Sequence, residues 1–251
     1  MQKLISSAKK FLREYSIGCI PRRFRLPVHF WWQRFRGKLE PELLFLLSGG
    51  VKSGMAIDVG ANQGIYTYAL AKIFERVDAF EPNKSVTSRL ECYLSRKVTL
   101  HHYALSCDEG EATLYIPSSS RGVEYSGWAS LDRKTLPATA TAIRTKTVKS
   151  KSLDSFAFGN VAFIKIDVEG HELQVLEGAV ETIARFRPNI MVEVKPLSRL
   201  AVWNFFLARQ YQCFLLTNDG LKRVRTVGDF TASAKENFVW IPDQSRTWPS
   251  E

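Results

Sequence analysis

Cysteine is sparse and scattered in this chain. Its four residues, Cys19, Cys92, Cys107 and Cys213, form no CxxC pair, which argues against a disulfide framework or a zinc site and points to a reducing compartment, the cytoplasm. No run approaches the roughly 18 consecutive apolar residues of a transmembrane helix. The basic start lacks the long apolar stretch of a secretory signal, and there is no internal repeat or low-complexity tract. Acid is what the first 38 residues lack: Lys3, Lys9, Lys10, Arg13, Arg22, Arg23, Arg25, Arg34, Arg36 and Lys38 face Glu14 alone. Of the chain's 35 basic and 25 acidic residues, 25 and 24 remain for the rest, which is therefore nearly neutral. A basic arm over 1–38 and one globular domain over 39–251 are expected.

In the arm, Leu4, Ile5, Ala8, Phe11, Leu12 and Tyr15 fall at helical spacing, with Lys9, Lys10 and Arg13 largely elsewhere on the wheel. Pro21 and Pro27 read as breaks, and Phe30-Trp31-Trp32-Gln33-Arg34-Phe35-Arg36 then mixes aromatics with cations. This suits peripheral contact with an anionic membrane surface better than a nucleic-acid backbone. The plain alternative is a solvated arm that packs on its own domain or on a partner subunit.

Beyond the arm, strand and helix patterns alternate. Strands are expected at 55–59, 77–80, 98–105, 161–166, 190–194, 213–217 and 238–241, with an added short strand near 108–116, a long polar loop over 117–144 and an extended edge segment at 146–153. Such alternation implies parallel βαβ units, whose ligands sit beyond the carboxyl ends of the strands. Asp58, Glu81, Asp167 and Glu193 all fall at those ends.

The run Ile57-Asp58-Val59-Gly60-Ala61-Asn62-Gln63-Gly64-Ile65-Tyr66 reads as a strand, a tight turn and a helix start. Glycine lets a backbone approach a ligand closely. The Asp58 carboxylate repels a pyrophosphate and attracts a cation, so S-adenosylmethionine, which carries a sulfonium and an amino group, fits better than a dinucleotide. A nicotinamide-dependent oxidoreductase would want Gly-x-Gly-x-x-Gly with no acid before it, and ranks lower. Glu81 can accept both ribose hydroxyls; the alternative is a solvated acid at a turn. Asp167 is a candidate for the reaction centre, and His171 for a general base. Glu169 reads equally well as a functional acid and, with Glu172, as an acid in the first turn of a helix. Glu193, beside Asp167, can share a divalent cation with it or flank an acceptor hydroxyl. The second is preferred, and no metal is assigned.

Phe80-Glu81-Pro82, Ala104-Leu105-Ser106, Lys165-Ile166-Asp167-Val168-Glu169-Gly170-His171-Glu172, Leu176-Glu177-Gly178-Ala179 and Asn237-Phe238-Val239-Trp240-Ile241-Pro242 extend the pattern. With the glycine turn they make the chain similar to the FkbM family of S-adenosylmethionine-dependent methyltransferases, over residues 40–242. The resemblance implies a Rossmann-like α/β fold: a mostly parallel seven-stranded sheet with an antiparallel last strand and helices on both faces. By the same resemblance, Asp58, Gly60, Asn62 and Gly64 surround the methionine part of the cofactor, and Tyr66, at the end of that run, is expected to bind the cofactor too. Glu81 holds the ribose, Ala104 and Leu105 lie near the adenine, and Asp167 faces the methyl group and the acceptor. Family members commonly methylate hydroxyls, often on sugars or natural products. O-methyl transfer to a sugar or glycoconjugate is therefore expected, with Asp167, His171 and Glu193 as catalytic candidates. A catalytically inert, membrane-binding relative is the remaining alternative. The arm and the 117–144 loop lie outside the resemblance and are expected to choose the acceptor.

Overall fold

The computed structural model describes residues 20–50, 52–119, 123–136 and 140–243; the helix expected at 3–15 lies outside them. In chain order the elements are α1 (Arg25–Phe35), α2 (Pro41–Ser48), β1 (Met55–Val59), α3 (Ile65–Ile73), β2 (Arg76–Phe80), α4 (Ser88–Tyr93), β3 (Val98–His101), β4 (Ala104–Leu105), β5 (Gly110–Ser118) and β6 (Ala142–Lys151). They continue with β7 (Val161–Ile166), α5 (Glu172–Glu177), α6 (Val180–Phe186), β8 (Asn189–Glu193), α7 (Arg199–Leu207), β9 (Tyr211–Thr217), β10 (Gly220–Val224), α8 (Val227–Ala232) and β11 (Asn237–Pro242).

Short apolar runs become central parallel strands because helices cover both faces of the sheet. β1 is buried at every position. The main sheet runs β10-β9-β11-β8-β7-β1-β2-β3, parallel from β8 to β3. β11 lies antiparallel to both its neighbours, which is the expected antiparallel last strand. The sheet carries one strand more than seven: β10 folds back on β9 as an edge hairpin. Ile57, Val59, Ile164, Ile166 and Trp240 face one core, and Ala56, Leu70, Ala79 and Leu43 face the other. The chain winds outward from β1 to β3, then crosses to β7 beside β1. That reversal is the switch point at which such sheets bind ligands.

Three expectations are corrected. The stretch 98–105 is not one strand: it breaks at His102 and Tyr103, and Ala104–Leu105 pairs with Ser150 and Lys151 in a separate sheet of order β4-β6-β5. The 117–144 segment is not all loop, since β5 and β6 stay paired out to Ser118↔Ala142. Pro27 does not break the chain either. It is the third residue of α1, within the first turn, where backbone N–H groups have no intrahelical acceptor and proline is tolerated. Leu26 and Phe30 of α1 are buried in the core of the body, and the Phe30 ring lies 4.9 Å from that of Tyr68. The boundary drawn at residue 38 thus does not coincide with a gap in packing.

Candidate active site

The turn after β1 is fixed by steric necessity. Gly60 has φ +81°, and a Cβ there would fall 1.8 Å from the Asp167 carbonyl oxygen. Asn62 also takes a left-handed conformation, φ 49°. The Gly60 and Ala61 N–H groups both donate to the Phe80 carbonyl at 3.0 Å, so the turn is tied to the end of β2. There Glu81, itself buried, accepts from the Asn62 N–H at 2.9 Å and the Asn83 N–H at 2.8 Å. Burial pushes its carboxyl up to about 7, against the pull of these two donors, and Asp58 and Asp167 add to the rise.

Asp58 sits beneath the turn rather than in it. It is fully buried and accepts from Thr67 Oγ1 at 2.5 Å. Its other oxygen, Oδ1, has no hydrogen-bond partner. Burial raises its carboxyl, opposed chiefly by Lys165, its neighbour across the β1–β7 pair. Lys165 Nζ donates to Asp167 Oδ2 at 2.8 Å and lies 4.3 Å from the centre of the Tyr66 ring. Burial alone would lower Lys165, but Asp167 and Asp58 overcome it and hold the ammonium above its usual range. The Tyr66 hydroxyl donates to Glu40 Oε2 at 2.5 Å; burial and Glu40 raise it well above the ordinary tyrosine value.

Two cavities flank this group. Glu81, Ala104, Leu105, Asp167 and His171 line the first, under a cover of Gly127, Ala129 and Leu131. His29 and Gln33 of α1, with Lys38, Glu40, Tyr66 and Lys165, line the second. Gly60, Asn62 and Asp167 line both. Asn62 Oδ1, at this junction, is buried without a hydrogen-bond partner.

The predicted residues divide accordingly. Gly60, Asn62, Glu81, Ala104, Leu105, Asp167 and His171 face the first cavity, whereas Tyr66, expected beside the cofactor, faces only the second. Asp58 lines neither: its central strand aims the carboxylate under α3, at Thr67. Gly64, which caps α3 with φ 89°, also lines neither cavity. His171 Nε2 lies 2.9 Å from Ser106 Oγ, and burial holds the imidazole below its ordinary value. Glu193 lines neither cavity; it binds Lys195 Nζ at 2.7 Å, which also meets Glu236 at 2.9 Å and Glu169 at 3.2 Å. Burial pushes Glu193 up to about 7, Asp167 adds to this, and Lys195 opposes it. Oxygens of Asp167, Glu169 and Glu193 come within 4.8 Å of one another, and the ammonium groups of Lys165 and Lys195 supply positive charge to all three.

Sequence reasoning did not single out Lys165 or Thr67, and it pointed to the arm and the 117–144 segment without naming His29, Gln33 or the residues of the cover within them. The signal for Lys165 was a cation inside an otherwise apolar strand. The cover is clamped to the Asp167–Glu169 segment: Thr135 Oγ1 donates to the Glu169 carbonyl at 2.7 Å, and a Cβ on Gly170 would lie 2.2 Å from Thr135 Cγ2.

A glycine turn after the first strand, an acid closing the second and an antiparallel final strand define a Rossmann-like methyltransferase. The sequence pattern of the methyltransferase FkbM domain matches residues 58–213, and the chain belongs to that family. Its cofactor is S-adenosylmethionine, and the nicotinamide-dependent alternative falls away. Among solved structures, the chain is similar to the methyltransferase FkbM from Methylobacillus flagellatus, with 20% identity and a TM-score of 0.49 over 75% of this chain and 43% of that one. The chain therefore spans under half the length of that relative. A putative methyltransferase from Streptococcus mutans, solved in complex with SAH, gives 14% identity and a TM-score of 0.42 over 79% and 93% of the two chains. A putative rRNA methylase from Clostridium thermocellum gives 10% identity and a TM-score of 0.45 over 79% and 90%. Comparison with curated proteins returned no match. Among the described residues no helix is long and apolar enough to cross a membrane.

Proposed function

We propose that this chain is an O-methyltransferase that methylates a hydroxyl of a sugar or glycoconjugate, with Asp167 taking the proton. The observation that carries the reading is that two cavities meet at Gly60, Asn62 and Asp167. The first fits the cofactor. Gly60 leaves room that a Cβ would close, Asn62 Oδ1 is a buried acceptor in need of a donor, and Glu81 offers a carboxylate held by two backbone N–H groups. Ala104, Leu105 and Leu131 supply apolar walls suited to an adenine.

When bound, S-adenosylmethionine supplies a methyl group already activated by its sulfonium. The protein's work is then to orient the acceptor oxygen and remove its proton. Lys165 fixes Asp167 by holding Oδ2, and Oδ1 has no hydrogen-bond partner among the described residues. Because Asp167 faces both cavities and His171 only the first, Asp167 is the better-placed base. The polar lining of the second cavity, including His29, Gln33, Lys38 and Glu40, suits an acceptor rich in hydroxyls.

The test is incubation with isotope-labelled cofactor and a panel of glycans, with products resolved by mass. Asp167→Asn should lower turnover on the order of 10²–10⁴-fold while S-adenosylhomocysteine affinity changes by no more than about threefold. Normal turnover in this variant would refute the assignment.

A further inference from the structure

We propose that the outward face of α1 docks on an anionic lipid bilayer. This helix has three faces with three fates. Leu26 and Phe30 are buried in the body, and His29 and Gln33 line the second cavity. The third face gathers Val28, Trp31, Trp32 and Phe35, joined by Phe24 and Pro27, into one open apolar surface. Phe35 is 85% exposed, Trp31 56% and Trp32 54%. Positions 24, 28, 31, 32 and 35 repeat at helical spacing, so the surface is one continuous stripe. Contiguous exposed apolar surface of this kind marks an interaction site.

The rim of the stripe says what covers it. Residues 20–38 hold Arg22, Arg23, Arg25, Arg34, Arg36 and Lys38 and no acid. The Arg23 guanidinium lies 4.8 Å from the Phe24 ring centre, Arg34 5.5 Å from Trp31 and Arg36 5.8 Å from Trp32. Tryptophan rings among cations, over an apolar stripe, match the boundary between headgroups and acyl chains, and the cations are attracted by an anionic leaflet. A second copy of the chain is a poorer occupant, because a two-fold contact would set this cationic rim against itself. A nucleic-acid strand is also poorer, because it is tracked by a cationic groove, whereas here cations surround an exposed apolar helix face.

Docking would bring the helix that lines the acceptor cavity to headgroup level. The acceptor class that follows is the hydroxylated headgroup of an amphiphile, a lipid-linked sugar among them. This second step rests on the methyl-transfer reading; the docking itself does not.

Flotation of the full chain with vesicles tests it. Vesicles of equal phosphatidylglycerol and phosphatidylcholine should carry the protein, and phosphatidylcholine alone should not. About 1 M salt, where the screening length shrinks to about 3 Å, should release it. The variant W31S/W32S/F35S should lower partitioning on the order of tenfold, and R34E/R36E should do likewise. Both should retain S-adenosylhomocysteine affinity, since none of these residues lines either cavity, and that titration reports separately on the cofactor reading. The proposal is overturned if the native chain does not float or if the triple variant floats as well as the native chain. It is equally overturned if this face instead mediates a concentration-dependent dimer or RNA binding that the triple variant abolishes without any flotation.

Discussion

Glu81→Gln is the sharpest test of the cofactor site, because its effect should depend on pH in a calculable way. In the free protein the carboxyl is buried between two backbone donors, and burial pushes it up to about 7. Ribose hydroxyls donate best to the ionised form, so affinity is full above that value and falls as pH drops through it. If only the ionised form binds, the Kd for S-adenosylhomocysteine rises about 30-fold, or ~2 kcal/mol, between about pH 8 and about pH 5.5. Stability of the ligand-free fold runs the other way. The folded value lies above the ordinary 4.5, so this group's contribution is intact below 4.5 and declines, by up to ~3 kcal/mol, as pH rises through about 7. Glu172 and Glu193, also pushed up to about 7, act on stability in the same direction, but they do not face the first cavity. Calorimetric titration at about pH 7, in two buffers of different ionisation enthalpy, should show release of about half a proton on binding. Glu81→Gln should abolish the release, flatten the pH profile and weaken binding at about pH 8 by roughly 10- to 100-fold, as expected for losing hydrogen bonds to a charge. A flat profile in the native protein, or an unchanged one in the variant, would refute the reasoning.

Two substitutions probe the frame around that site. Gly60→Ala sets a Cβ 1.8 Å from the Asp167 carbonyl at φ +81°, and should lower stability by more than ~3 kcal/mol, read as a drop in melting temperature; a loss under ~1 kcal/mol would mean that the turn is not so constrained. Lys165→Met strips Asp58 and Asp167 of the ammonium between them and should cost about 3–5 kcal/mol in urea unfolding, with partial recovery when Asp58→Asn is added; no coupling between the two would disprove the shared charge network.

Much of this was legible because the chemistry that makes the site also makes a local pattern. An acid, two glycines and an asparagine between a strand and a helix announce the turn. Glu81 is readable from its place at the end of the second strand. What the sequence hid is direction. Asp58 closes a strand near a ligand site, but strand alternation aims it away from both cavities, at Thr67. Only the second half of β6 was legible, as the extended edge segment at 146–153; its first half was hidden because from Ala142 to Thr147 it is exposed at every residue and lacks the alternation that marks a half-buried strand. Its place is set by pairing with β5. The break in 98–105 likewise depends on a partner, since Ala104 and Leu105 pair with the end of β6, a contact remote in sequence. α1 was misjudged at Pro27, where the helix rule turns on distance from the N-terminus rather than on the residue alone.

The acids at this edge act as one charge system, and Asp167 is its centre. It raises the proton affinity of Asp58, Glu81, Glu169, Glu172 and Glu193, whereas the cations set against them here are buried Lys165 beside Asp58 and Asp167, and Lys195 beside Glu169, Glu193 and Glu236. Negative charge in excess of its partners destabilises the ligand-free edge, and a cation placed where the two cavities meet relieves it. S-adenosylmethionine carries such a charge on its sulfonium, and S-adenosylhomocysteine does not. A site built this way should hold the donor more firmly than the spent product, which titration of the two at one pH and ionic strength checks: equal affinities would refute the argument. In the reading proposed above, the carboxylate assigned to take the acceptor's proton, Asp167, is also the one that contributes to the field at each of these acids.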